Sequence, residues 1–215
     1  MRPRWRSEAD LLKVGLTGGM ASGKTTVGEM LQARGAHLLQ ADKLAQELMQ
    51  PGLPVYDAVV GHFGPEIVKS DGTIHRAKLA GIVFPDRIEE LNKLVHPAVI
   101  QRQEEWMNEI GAREPHAVTI VEAALIVEAG TGRQFQKLIM VTCSMEQKIE
   151  RFARRLGVSA ADARAEVERR MAAQVSDEIK VKNADFVIDN SGTIEQLGPQ
   201  VDKVWAELKR LAARG

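Results

Sequence analysis

The chain has 215 residues, with 29 Lys plus Arg set against 29 Asp plus Glu, so its formal net charge is zero. A protein that lives on the phosphate backbone of nucleic acid needs a basic excess, and none exists here. Hydrophobic residues make up 44% and aromatic residues only 4%, which excludes wholesale disorder and demands an aliphatic core.

The length supports one domain, or one with insertions. The single cysteine, Cys143, rules out a disulfide framework and a Cys-rich zinc site and fits a reducing, cytoplasmic setting. The most apolar stretch, Ala117 to Ala129, is interrupted by Glu122 and Glu128. It falls short of the roughly 18 apolar residues that a membrane helix needs. The basic start, Met1 to Asp10, is followed only by Leu11 and Leu12 before Lys13, so the apolar region of a secretory signal is missing. Residues 1–11 are expected to form a flexible arm.

Val14 to Thr17 reads as a buried strand that runs into a glycine-rich turn. A helix is predicted from Lys24, with Val27, Met30 and Leu31 on one face and Gly35 stopping it. Ala36 to Leu39 reads as a second strand. A further helix follows, with Asp42 near its start and Leu44, Ala45, Leu48 and Met49 on one face, until Pro51-Gly52 breaks it. From Leu53 to about Ile110 the periodicity is helical, with breaks expected at Gly64-Pro65, Asp71-Gly72, Pro85-Asp86 and His96-Pro97. Val118 to Glu122 and Lys137 to Val141 read as strands three and four. Met145 to about Ala173 is helical with a joint at Gly157-Val-Ser159, where Ser159 is a good N-cap. Asp185 to Asp189 is a fifth strand, and Thr193 to Ala213 a closing helix. Strands alternating with helices imply right-handed crossovers and a parallel sheet covered on both faces, with ligands at the carboxyl ends of its strands.

The decisive segment is Gly18-Gly-Met-Ala-Ser-Gly-Lys-Thr25, which fits G-x-x-x-x-G-K-[ST] without a mismatch. Gly18, Gly19, Met20, Ala21, Ser22 and Gly23 form a backbone that can wrap a phosphate with its N–H groups turned inward. The helix that starts at Lys24 presents its positive end to the anion. Lys24 reaches the β and γ phosphates, Thr25 offers a hydroxyl to Mg²⁺, and Thr26 is counted with them among the nucleotide-binding residues. A triphosphate-binding α/β fold follows. A GTPase is excluded, because its NKxD is missing and the DxxG at Asp189 to Gly192 lies on the wrong strand. A small kinase fits better, with a core sheet, a helical acceptor-binding insertion and an arginine-bearing lid.

The sequence resembles the dephospho-CoA kinases. The resemblance rests on Gly15 to Thr26, Ala41-Asp42, Asp71-Gly-Thr-Ile-His-Arg76, Val83-Phe84 and His96-Pro97. It continues through Leu125 to Glu128, Arg170-Met-Ala-Ala-Gln174 and Ala184 to Gly192. It implies transfer of the γ-phosphate of ATP to the ribose 3′-hydroxyl of dephospho-CoA, the last step of coenzyme A synthesis. It also implies a five-stranded phosphate-loop kinase fold of nucleotide-kinase type. On this reading, segments 12–45, 113–144 and 184–215 make the core, 46–112 the acceptor-binding region and 145–183 the lid. Two departures stand out: Gln40-Ala-Asp42 replaces the usual Asp-x-Asp, and Glu122 with Ala124 replaces the frequent Asp and Pro.

By the resemblance, Asp42 takes or orients the proton of the attacking hydroxyl; otherwise it is a first-turn helix charge. Glu122 ends the third strand, where an acid can hold Mg²⁺, or it pairs with a base at the core's edge. Arg151, Arg154 and Arg155 share a helix, a cluster suited to a triphosphate; Arg155 and Arg170 would lie over it as lid residues, although Glu150 can pair with Arg154 and Glu166 with Arg170. Arg76, His96 and Leu125 are implied acceptor contacts, although His96 before Pro97 could equally be an N-cap or a buried hydrogen-bonded histidine. His37, His62, His75 and His116 have no metal-like spacing, and Cys143 reads as a packing residue. The alternatives are a kinase of another small hydroxyl or nucleoside acceptor, or a non-catalytic ATP-dependent switch.

Overall fold

The computed structural model describes residues 11–84, 86–124, 126, 130–172 and 175–214. Leu125 and residues 1–10 of the expected arm lie outside them; Leu11, the arm's last residue, is buried at 4% exposure.

Five strands form one sheet: β1 (Leu12–Gly18), β2 (His37–Gln40), β3 (Val118–Glu122), β4 (Lys137–Thr142) and β5 (Phe186–Asp189), in the order β2-β3-β1-β4-β5. β1 is central and runs parallel to β3 and β4, and β4 runs parallel to β5. Burial on both faces explains why β1 and β3 read as continuous apolar runs rather than alternating ones. The register sets Leu16 opposite Glu122 and Gly18 opposite Val141. The loop after β1 and the last residue of β3 thus emerge side by side at the carboxyl edge.

The helices are α1 (Lys24–Gln32), α2 (Ala41–Leu48), α3 (Pro54–Phe63), α4 (Arg76–Val83) and α5 (Ile88–Arg113). They continue with α6 (Met145–Leu156), α7 (Ala160–Ala172), α8 (Asp177–Asn183) and α9 (Ile194–Ala212). The core joins Val27 and Leu31 of α1 and Leu197, Val201, Val204 and Leu208 of α9 to the sheet residues Val14, Leu16, Ile120, Ile139, Val141 and Ile188. Thr193 and Gln196 close a capping box at the start of α9. At the expected joint, Ser159 Oγ accepts from the Asp162 N–H at 3.1 Å and caps α7.

The expected break at His96-Pro97 does not occur: α5 runs through Pro97 as one helix of 26 residues. Val95, Val99, Gln103, Met107 and Ile110 are all buried. Their three- and four-residue spacing forms one stripe, while Pro97 falls on the exposed side. Burial of that stripe offsets the one backbone hydrogen bond that proline removes. His96 is therefore a mid-helix residue, not a cap. The short helix α8, absent from the sequence reading, is opened by Ser176, whose Oγ accepts from the Ile179 N–H.

The chain divides into two compact units, residues 40–106 and the remainder, 1–39 with 107–215. The segment 145–183 belongs to the larger unit. No helix among the described residues is long and apolar enough to cross a membrane.

Candidate active site

The site in the larger unit is built on the turn from β1 into α1. Gly23 stands at φ +91° immediately before the helix. That backbone conformation admits glycine freely and most other residues only with strain. Asn190 Nδ2 fills the space a Cβ would take there, so any side chain at Gly23 meets a second obstacle. Gly18 is crowded too: a Cβ would come within 2.5 Å of the Val141 carbonyl oxygen. Ala21 adopts φ +55° without being glycine.

The loop is braced from outside. Arg151 Nη1 donates to the Ser22 carbonyl at 3.2 Å and the Ala21 carbonyl at 3.4 Å, and its Nη2 donates to the Asn190 carbonyl at 2.9 Å. Asn190 Nδ2 donates to the Ser22 carbonyl at 2.8 Å. With these carbonyls held outward, the N–H groups at the start of α1 can face an anion, while the Ser22 N–H donates to the Gly19 carbonyl at 3.3 Å. Lys24 Nζ reaches back to the carbonyls of Gly18 and Gly19, at 3.0 and 3.2 Å, so its cation rests on the loop itself.

Thr25 Oγ1 donates to Glu122 Oε1 at 2.8 Å. Glu122, 8% exposed, is thereby joined to the hydroxyl that follows the loop lysine. A hydroxyl and a carboxylate are hard oxygen donors, the set a small divalent cation such as Mg²⁺ prefers. The two expected metal-site residues are thus brought together by the β1–β3 register.

The two arginines expected over the triphosphate fall less simply. Ile149 and Phe152 of α6 and Ala163 and Val167 of α7 form a small apolar cluster against which Met20 of the loop packs. The guanidinium centres of Arg155 and Arg170 lie 5.7 and 5.6 Å from the Phe152 ring centre, and Arg170 Nη1 is 3.8 Å from Met20 Sδ. Glu166 also holds Arg170, at 2.5 Å. Hydrogen bonds from Arg169 first and Arg170 second bring the Glu166 carboxyl down to about 2, so it stays ionised at neutral pH. Cys143 is partly buried with its thiol pushed up by burial, which keeps it protonated and fits a packing role.

Sequence reasoning weighed Arg151 only within the arginine cluster of one helix and assigned no role to Asn190, Lys148 or Asp177. Arg151 and Arg155 share one face of α6, four residues apart, and Arg151, one turn nearer the helix start, is the one that reaches the loop carbonyls. Asn190 carried a signal, since it follows the last strand directly.

Asp42 and Arg76 belong to the smaller unit. Asp42 is an exposed residue in the first turn of α2, two positions after β2 ends. Arg76 opens α4, whose first turn is capped by His75: its Nδ1 accepts from the Lys78 N–H at 3.3 Å. Arg76 lines a cavity of about 520 Å³ together with Lys69 and the apolar residues Met49, Ile74, Leu79, Val83, Phe84 and Leu91. Two cations and no carboxylate are found among its lining residues. His96, half-buried on α5, is not among them.

Residues 12–196 match the CoaE family model, described as dephospho-CoA kinase. A dephospho-CoA kinase of Aquifex aeolicus is 42% identical over 200 residues, which cover 92% of this chain and 98% of that one. A crystal structure from Thermus thermophilus superposes with a TM-score of 0.75 at 30% identity, covering 94% of this chain and 99% of the other. The dephospho-CoA kinase of Campylobacter jejuni shares the fold, with a TM-score of 0.60 at 23% identity and coverage of 94% and 100%.

Proposed function

Since the chain belongs to the dephospho-CoA kinase family, we propose that it transfers the γ-phosphoryl group of ATP to the ribose 3′-hydroxyl of dephospho-CoA in the cytoplasm. The observation that carries this reading is the braced phosphate loop with Thr25 and Glu122 joined beside it. Phosphoryl transfer needs little covalent work from the protein; positioning and charge stabilisation supply most of the rate. The loop N–H groups and the start of α1 hold the phosphates, and Lys24 leaves the Gly18 and Gly19 carbonyls for the β and γ oxygens. Thr25 and Glu122 would hold Mg²⁺, which when bound neutralises charge on the β and γ phosphates. Arg170 and Arg155, gathered on Phe152, add guanidinium donors over the triphosphate. Asp42 accepts the proton of the attacking hydroxyl.

The cavity of the smaller unit suits the acceptor. Dephospho-CoA carries a diphosphate and a long arm in which methylene and methyl groups alternate with amides, and the lining offers Lys69 and Arg76 beside an apolar wall. Arg76→Ala should raise KM for dephospho-CoA by about tenfold, the loss of one charge-assisted contact, with KM for ATP changed less than about twofold. Steady-state kinetics with each substrate varied checks this; a matching rise in both KM values would remove Arg76 from the acceptor site.

Glu122→Gln keeps a partner for the Thr25 hydroxyl and removes the charge. The Mg²⁺ concentration giving half-maximal rate should rise about tenfold or more. An unchanged Mg²⁺ titration would assign Glu122 to the core's edge alone.

The reaction itself is tested by incubating the chain with Mg-ATP and dephospho-CoA, adenosine or shikimate in turn, with products identified by mass. Coenzyme A from dephospho-CoA alone is the expected result. Product from another acceptor would move the assignment to that substrate, and ATP binding without any acceptor product would favour a switch.

A further inference from the structure

Lys148 and Asp177 have no part in the roles above. Lys148, on α6, is a charged residue with a side chain only 3% exposed, and Asp177, the first residue of α8, is 26% exposed. Lys148 Nζ donates to Asp177 Oδ2 at 2.5 Å and lies 3.8 Å from Met171 Sδ of α7. An ammonium has three protons to place, and a thioether is a weak acceptor for one of them. A methionine or leucine would fill the same space without the desolvation penalty of a buried cation.

What the pair faces gives it meaning. A Cβ on Gly19 would stand 3.1 Å from Lys148 Nζ and 3.0 Å from Asp177 Oδ1. Both charges therefore abut the second residue of the phosphate loop. Their sum is zero, but they act on an arriving polyphosphate with opposite signs. The carboxylate repels it and the ammonium attracts it, in surroundings where screening by water is weak. Lys148 is also bound to a partner that a phosphate oxygen can replace in kind, one anionic oxygen for another.

Resting on the phosphate-loop reading, we propose that Lys148 is a second phosphate-directed cation of the nucleotide site, and that Asp177 competes with the nucleotide for its ammonium. Arrival of ATP draws Lys148 from Asp177 to the phosphates. Asp177 thus sets nucleotide affinity below what the lysine alone would give.

A competing pair and a merely structural pair differ in sign. ATP affinity of the full chain is measured by titration calorimetry for the unaltered protein, Lys148→Met, Lys148→Gln and Asp177→Asn, each alongside its thermal unfolding. The Lys148 variants should bind ATP at least about tenfold more weakly. Asp177→Asn should bind it about threefold or more tightly, and both differences should shrink as salt is raised. Lys148→Gln retains a hydrogen bond to Asp177 and serves if the methionine variant does not fold. A structural ion pair would lower stability and weaken ATP in the same direction for both residues; that result, or affinities unchanged throughout, overturns the proposal. No ATP binding by the unaltered chain would instead overturn the phosphate-loop reading beneath it.

Discussion

Lys24→Ala should lower turnover by at least about a hundredfold and weaken ATP binding, with the fold intact. The loss corresponds to about 3 kcal/mol, the usual worth of one preorganised electrostatic stabiliser. The side chain is half-buried and its ammonium rests on the carbonyls of Gly18 and Gly19. The backbone cradle does not depend on that contact, because Arg151 and Asn190 hold it from the other side. Thermal unfolding should therefore move little while the rate collapses. Coupled-enzyme kinetics and a melting curve on the same preparation make the comparison. Near-normal turnover would overturn the phosphate-loop assignment. A large fall in melting temperature would show that Lys24 supports the empty loop as well as the ligand.

Asp42→Asn should leave both substrates bound within a few-fold and lower the transfer rate by about 10² to 10⁴, the range of general acid–base help. A ribose hydroxyl is a weak nucleophile at neutral pH, so a group must orient it and take its proton as the bond forms. Gln40, the N-cap residue of α2, is neutral and cannot do so; Asp42 is the carboxylate left in that motif. Asparagine keeps the size and most hydrogen bonding while removing the basicity. Single-turnover rates with ATP and dephospho-CoA, set beside binding constants for each, separate chemistry from affinity. Retention of more than about a tenth of the rate would shift the role to Glu122. Unaltered nucleotide-dependent behaviour with no transfer in either protein would instead describe a switch.

Local chemistry alone determined the strand, loop and helix from Leu12 to Gln32. The continuous apolar run of β1 and the glycines at 18, 19 and 23 admit few other structures, and Lys24 and Thr25 follow at fixed positions on the first helical turn. The five strands were legible for the same reason: buried parallel strands are short apolar runs bounded by turn residues. The helical region 53–110 was legible as helix, yet the break expected at His96-Pro97 was not there. Sequence reports the penalty of a proline but not the area its helix buries, and the stripe from Val95 to Ile110 outweighed it.

Which charges meet at the loop was decided only by tertiary structure. Glu122 reaches Thr25 because β3 pairs with β1 in one register and no other; a slip by one residue would send Glu122 to the opposite face. Arg151 braces the loop because packing sets its turn of α6 beside the Ala21, Ser22 and Asn190 carbonyls. Lys148 meets Asp177 because α6 and α8 are brought together across 29 residues of chain. Periodicity gives each helix a buried side, but not the neighbour that side is buried against. Partnerships between charges distant in sequence are therefore settled by packing.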